Sequence, residues 1–201
     1  TSGSGANASS QCESCPSDTY SKTFNFETTC MNCPSDAVSP LSSSSILDCQ
    51  CDIGYSGPDG GSCVACVAGK FKASIGSDAC TQCVAGKYSA ATGATSDSCA
   101  DCSADTYSSA DNTQCEACPS NSVSASLSST QTDCKCIVGH TGPDGGACVA
   151  CVAGKFKASN GSASCTLCAQ GKYGTAAAAD SEATCQSCPS YTYSPEGSWI
   201  V

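Results

Sequence analysis

Arginine is missing from this chain altogether. Eight lysines are its only permanent cations, set against 18 acidic residues for a formal charge of −10. That balance repels a phosphate backbone, and the guanidinium forks that clamp phosphates and read base edges are absent, so nucleic acid is excluded as a partner. Tryptophan, methionine and histidine occur once each. Aromatic and Arg anchors of binding hot spots are therefore scarce, and a histidine-based catalytic pair has one candidate, His140. Leu, Ile, Val and Phe together number 22, about 11% of the 201 residues. So little large apolar side chain would by itself imply disorder, because burial could not offset chain entropy. No apolar run approaches the length of a membrane-spanning helix, so membrane insertion of this segment is not expected. Helical periodicity is lacking too. Thr175–Ala179 is the one tract that resembles a helical turn, and it reads better as a loop.

What the chain has instead is cysteine, 22 residues of it. A sequence this poor in apolar bulk and this rich in cysteine is a scaffold held by cross-links rather than by an oil-like core. Disulfides at that density persist in an oxidising compartment, which predicts an extracellular or cell-surface location. Two N-glycosylation sequons, at Asn7 and Asn160, agree with that, and the Ser/Thr-rich loops Ser42–Ser45 and Ser126–Thr130 are candidates for O-glycans. The chain opens TSGSGANASS and ends SWIV shortly after a new cysteine pair, which reads as a cut through a longer polypeptide.

The cysteines fall into eleven close pairs. Nine are CxxC (12/15, 30/33, 63/66, 80/83, 99/102, 115/118, 148/151, 165/168, 185/188) and two are CxC (49/51, 134/136). Adding 85 to each cysteine position from 30 to 83 lands on another cysteine, so the chain is two copies of one unit with a partial unit at each end. Within a unit an aromatic stands five residues after many second cysteines: Tyr20, Phe71, Tyr88, Tyr107, Phe156, Tyr173 and Tyr193. Gly69, Gly86, Gly154 and Gly171 precede four of these by two positions. The pattern predicts a short strand entered through a turn, with glycine taking a backbone conformation that a Cβ resists and the ring lying on the disulfide. Intervening Ser, Ala and Thr are expected to face water. The stretch CVACVAGKFKAS is identical at 63–74 and 148–159, a fidelity greater than rung geometry alone requires.

The segments CMNCPSDAVSPLSSSSILDCQCDIGYSGPDGGSC at 30–63 and CEACPSNSVSASLSSTQTDCKCIVGHTGPDGGAC at 115–148, each followed by CxxGKFKAS and further CxxC pairs, resemble the ephrin-receptor-type cysteine-rich repeat over nearly all of residues 12–188. The resemblance implies a small, disulfide-rich, all-β chain: an elongated tandem array of EGF-like modules with almost no helix, extracellular and non-enzymatic, of the kind met in receptor ectodomains and in large surface proteins of algae and other protists. The implied organisation is a Ser/Gly-rich linker over 1–11, EGF-like cysteine-rich modules over 12–63 (a partial first repeat) and 102–148, four-cysteine modules over 64–101 and 149–187, and the start of a third repeat over 188–201. One departure is His140, standing where the other copy has Tyr55; it reads as a ring in a loop rather than a metal ligand. The EGF-like framework further implies an interleaved pairing: Cys15–Cys33, Cys30–Cys49, Cys51–Cys63, Cys66–Cys83, Cys80–Cys99, Cys102–Cys118, Cys115–Cys134, Cys136–Cys148, Cys151–Cys168 and Cys165–Cys185. The alternative is a ladder, each second cysteine joined to the next first one, beginning Cys15–Cys30 and Cys33–Cys49. Either way Cys12 and Cys188 are left to bond with segments beyond the repeat. Ten closed loops of this size would each contribute on the order of 3 kcal/mol in the chain-entropy model.

Chemistry finds little purchase. Paired CxxC motifs match structural zinc spacing, but the even count and secretory signs favour oxidised sulfur. GPDGG lacks the alternating oxygen ligands of a calcium loop, so calcium is unsupported and no cofactor beyond covalent glycans is expected. No base stands near a nucleophile and no catalytic residue is assigned. The expected function is structural: a segment of a long glycosylated extracellular filament or stalk, such as a flagellar hair, whose partner is chiefly itself. The alternative is a spacer in a receptor or adhesion ectodomain.

Overall fold

The computed structural model describes residues 13–25 and 27–199. Its regular structure is ten two-stranded antiparallel sheets, none joined to another. All but two have strands of only two residues, as in Lys70–Phe71 paired with Thr81–Gln82 and Lys155–Phe156 paired with Thr166–Leu167. The longest pairs Thr19–Phe24 with Glu27–Asn32. Helix is confined, among the described residues, to single 3₁₀ turns such as Ile46–Asp48 and Gln131–Asp133. The chain is therefore a small disulfide-rich all-β protein in tandem modules. It divides into two compact units, one running through Gln82 and including Ala91–Ser98, the other comprising Cys83–Ala90 and Cys99 onward.

Each hairpin begins the same way. Counting from the cysteine that opens it, the residue three positions on has a positive φ at all eleven such cysteines from Cys15 to Cys188, between 60° and 82°. The N–H one residue further donates back to the carbonyl of the residue just after the cysteine, as in Lys70 to Val67 (3.1 Å), Lys87 to Val84 (3.0 Å) and Thr106 to Ser103 (3.2 Å). A turn closed in this way with a left-handed third residue has the pattern of type II. Glycine fills the position at 54, 69, 86, 139, 154 and 171. Asp18, Asp36, Asp105 and Asn121, whose short polar side chains tolerate that region, fill four more, and Tyr191 fills the one after Cys188.

This turn decides the disulfides, and the pairing is the ladder: Cys15–Cys30, Cys33–Cys49, Cys51–Cys63, Cys66–Cys80, Cys83–Cys99, Cys102–Cys115, Cys118–Cys134, Cys136–Cys148, Cys151–Cys165 and Cys168–Cys185. The interleaved scheme is corrected in eight of its ten bonds: Cys15–Cys33, Cys30–Cys49, Cys66–Cys83, Cys80–Cys99, Cys102–Cys118, Cys115–Cys134, Cys151–Cys168 and Cys165–Cys185 do not form. The reversal folds the opening cysteine back beneath its own hairpin. There it meets the cysteine that leads into the second strand, at Cα separations of 5.5–6.0 Å. The two residues inside each CxxC form that strand and carry the later cysteine to its far end, where it opens the next rung.

The core is sulfur and hydroxyl. Cys49, Cys51, Cys66, Cys102, Cys134, Cys136, Cys151 and Cys168 are the largest fully buried side chains among the described residues. Serines expected in water are buried beside them: Ser39, Ser43, Ser89, Ser108, Ser124, Ser128 and Ser194. The close approach of one rung to the next leaves room for a small side chain, and the hydroxyls are satisfied there. Ser39 donates to the Thr19 carbonyl (3.0 Å), Ser124 to that of Thr106 (3.1 Å) and Ser194 to that of Lys172 (2.9 Å).

Rung-to-rung docking repeats inside each unit. In the first, the loop N–H groups of Ser42 and Gly93 reach back to the carbonyls of Cys15 (2.8 Å) and Cys66 (2.7 Å). In the second, Leu127, Ala178 and Gly197 reach those of Cys102, Cys151 and Cys168 at 2.8–2.9 Å. The same loops press on the turn residue of the rung before last. A Cβ on Gly54 would stand 2.4 Å from the Gly93 oxygen, on Gly86 2.3 Å from that of Leu127, on Gly139 2.3 Å from that of Ala178, and on Gly154 2.1 Å from that of Gly197. Contacts therefore extend past the adjacent rung, and these four positions require glycine for space as well as for φ.

Candidate functional site

The retained CVACVAGKFK segment is where geometry departs from the ordinary rung. Six residues after the opening cysteine most rungs carry serine or glycine, but here the residue is lysine, and Lys72 and Lys157 are each only 3% exposed. The Lys72 ammonium donates to the carbonyls of Tyr55 (2.8 Å), Cys51 (3.4 Å) and Gly76. Lys157 donates to those of His140 (2.7 Å) and Gly161 (2.5 Å). Burial lowers the Lys157 ammonium from the usual lysine value, and the Asp144 carboxylate partly opposes the shift. Each lysine thus clips the short CxC hairpin to the one after it. Sequence reasoning missed both, because a lysine in a Ser-rich chain defaults to solvent. The signal was its identity in both copies at a position where other rungs are small. His140 contributes its main-chain oxygen to the clip, while its ring Nδ1 stays 3.2 Å from the Val138 oxygen.

Above the clip lies a groove, present in both copies. In the first unit Ser56, Val64–Val67, Lys70, Ala79 and Cys80 enclose about 300 Å³; in the second, Thr141, Val149–Val152, Lys155, Ser164 and Cys165 enclose about 310 Å³. Cys66 and Cys151 form the buried floor, while Val64, Val67, Val149 and Val152 stay 59–65% exposed. Lys87, Lys135 and Lys172 are paired with Asp101 (2.5 Å), Asp144 (2.6 Å) and Glu182 (2.9 Å). Lys70 and Lys155, at the groove rims, have no side-chain partner among the described residues.

Asn160 is exposed at a loop tip, its Oδ1 accepting from the Val138 N–H (3.1 Å), beside an open groove of about 720 Å³ lined by Ser124–Ser129. Asn7 and Cys12 lie outside the described residues. Cys188 is the free thiol among the described residues, 3.0 Å from the Ser194 hydroxyl. The predicted aromatics are half-buried for the most part. Tyr107 and Tyr173 hydrogen-bond across their hairpins to Glu116 (2.9 Å) and Gln186 (3.0 Å), and Tyr193 is 70% exposed. No group of three or more His, Cys, Asp or Glu side chains is gathered as metal ligands among the described residues. Nor is any helix there long and apolar enough to cross a membrane.

These features define tandem cysteine-rich modules of a receptor-type or structural kind. Two segments, 54–98 and 139–185, match the family described as tyrosine-protein kinase ephrin type A/B receptor-like. Together they cover just under half of the chain, a narrower extent than the 12–188 expected. Each begins at the turn glycine of a CxC hairpin and takes in the lysine clip and its groove. The two segments are similar to ephrin-receptor-like cysteine-rich repeats, a non-catalytic type of module. No curated protein matches the chain.

Proposed function

We propose that the chain is a structural segment of a long glycosylated extracellular filament or stalk, non-enzymatic, and that it associates chiefly with copies of itself. The observation that carries this reading is the uniformity of the rung: one turn and one local disulfide, repeated in both units, with loop N–H groups reaching back to the preceding rung in each. Among the described residues the two-stranded hairpins have edges covered by the following loops only at single bridges such as Phe71 to Ala94 and Tyr107 to Ser128, and edges left open are association surfaces. The net charge of −10 opposes indiscriminate lateral packing, which favours contacts at defined points. Disulfide density supports an oxidising, extracellular setting.

Glycans at Asn160 and Asn7 belong to the same reading. Intact mass before and after N-glycosidase should fall by one or two glycans; a mass equal to the bare oxidised polypeptide refutes this part. A second reading, a receptor-ectodomain spacer, draws on the matched family's description. The two separate in one experiment: the oxidised, glycosylated chain is concentrated and followed by light scattering and electron microscopy. Ordered assemblies support the filament. A chain that stays monomeric at high concentration contradicts it and favours the spacer.

A further inference from the structure

Glu196 and Trp199 make an unusual pair. The turn that carries them is pinned to its rung by Gly197 N–H to the Cys168 carbonyl (2.9 Å) and by Gly174 N–H to that of Ser198 (3.0 Å). The corresponding loops bring Ala94, Ser128 and Ala179 against Phe71, Tyr107 and Phe156, just as Ser198 meets Tyr173. The residue after each of those is small and polar: Thr95, Ser129 and Asp180. At this one loop it is Trp199, 58% exposed, with Glu196 exposed beside it and in no ion pair among the described residues. Rung geometry asks for no indole there.

The valine grooves present the complement. Each offers two exposed valines over a disulfide floor and an unpaired lysine at its rim, whereas Lys87, Lys135 and Lys172 are neutralised by carboxylates. We propose that these grooves are docking sites for a second copy of this chain: the indole of Trp199 lies on Val64/Val67 or Val149/Val152, and Glu196 pairs with Lys70 or Lys155. The contact is heterologous, one patch meeting a different one, so it propagates as an open array wherever its rotation does not close a ring. It also gives a reason for the retained CVACVAGK segment beyond the rung. The inference rests on the self-association reading and names the surfaces that perform it.

Trp199 is the sole tryptophan, so its fluorescence reports the contact directly. On concentrating the oxidised 201-residue chain from micromolar to millimolar, its emission should shift to the blue as association proceeds. The double variant Val67→Asp/Val152→Asp, at exposed positions, should lose the shift. Lys70→Glu/Lys155→Glu should weaken association by roughly tenfold or more, as like charges then meet, and adding Glu196→Lys should restore it. The restoration distinguishes docking from misfolding. Association with unshifted emission, or unaffected by these substitutions, overturns the docking while leaving self-association standing. Blue emission independent of concentration overturns it too, since the indole is then covered within one chain. No association at any concentration overturns both.

Discussion

Gly86 and Gly171 occupy the same place in their turns, at φ +82° and +81°, yet their surroundings differ. A Cβ on Gly86 would strike the Leu127 oxygen, whereas nothing lies within 4 Å of one on Gly171. Gly171→Ala should therefore cost only the backbone penalty, about 1–2 kcal/mol, and Gly86→Ala distinctly more; equal losses in thermal unfolding would contradict the docking of loop on turn. The lysine clip makes a similar contrast. Lys157→Met leaves the His140 and Gly161 carbonyls without their donor and should cost about 1–3 kcal/mol. Lys155→Met, on the groove rim, should stay within about 0.5 kcal/mol. Four of the turn glycines were legible in the sequence because glycine announces positive φ. Asp18, Asp36, Asp105 and Asn121 were not, since acidic and amide residues have many other uses on a surface. The buried serines were misjudged for a related reason: their hydroxyls find carbonyls only once the rungs are stacked.

Among the elements, the single 3₁₀ turns before the CxC pairs explain the aspartate of each DCxC. Asp133 accepts from the main-chain N–H groups of Ser129 and Thr130, both at 2.9 Å, and Asp48 does the same for Ser44 (2.8 Å) and Ser45 (2.9 Å). Those hydrogen bonds hold the Asp133 carboxyl below its ordinary value of 3.8. A depressed carboxyl contributes stability that is present above 3.8 and lost as pH falls through the lower folded value. Asp133→Ala should thus cost about 1 kcal/mol at neutral pH, with the difference closing in stronger acid; a deficit constant across that range would contradict the assignment. Short strands, the glycine turns and the repeat period were readable from cysteine and glycine spacing. Pairing was not. The EGF-like framework concerns a compact module, and spacing alone does not reveal that a type II turn sends each opening cysteine back under its own strand.

For the molecule as a whole, the ladder means that no disulfide among the described residues crosses from one rung to the next, so each rung can be closed as it is made. Such a chain suits a repetitive structural segment, where an interleaved knot of modules would set fixed domain ends. The single methionine offers a direct test. Met31 lies between Cys30 and Cys33 and is 44% exposed. In the ladder, Cys15–Cys30 falls entirely before it and Cys33–Cys49 entirely after it. In the interleaved scheme, Cys15–Cys33 and Cys30–Cys49 would both straddle it. In a Cys12→Ser variant with free thiols blocked, cyanogen bromide cleavage without reductant should release the fragment 1–31 from the rest of the chain. A fragment that separates only after reduction would contradict the ladder and the rung-by-rung construction built on it.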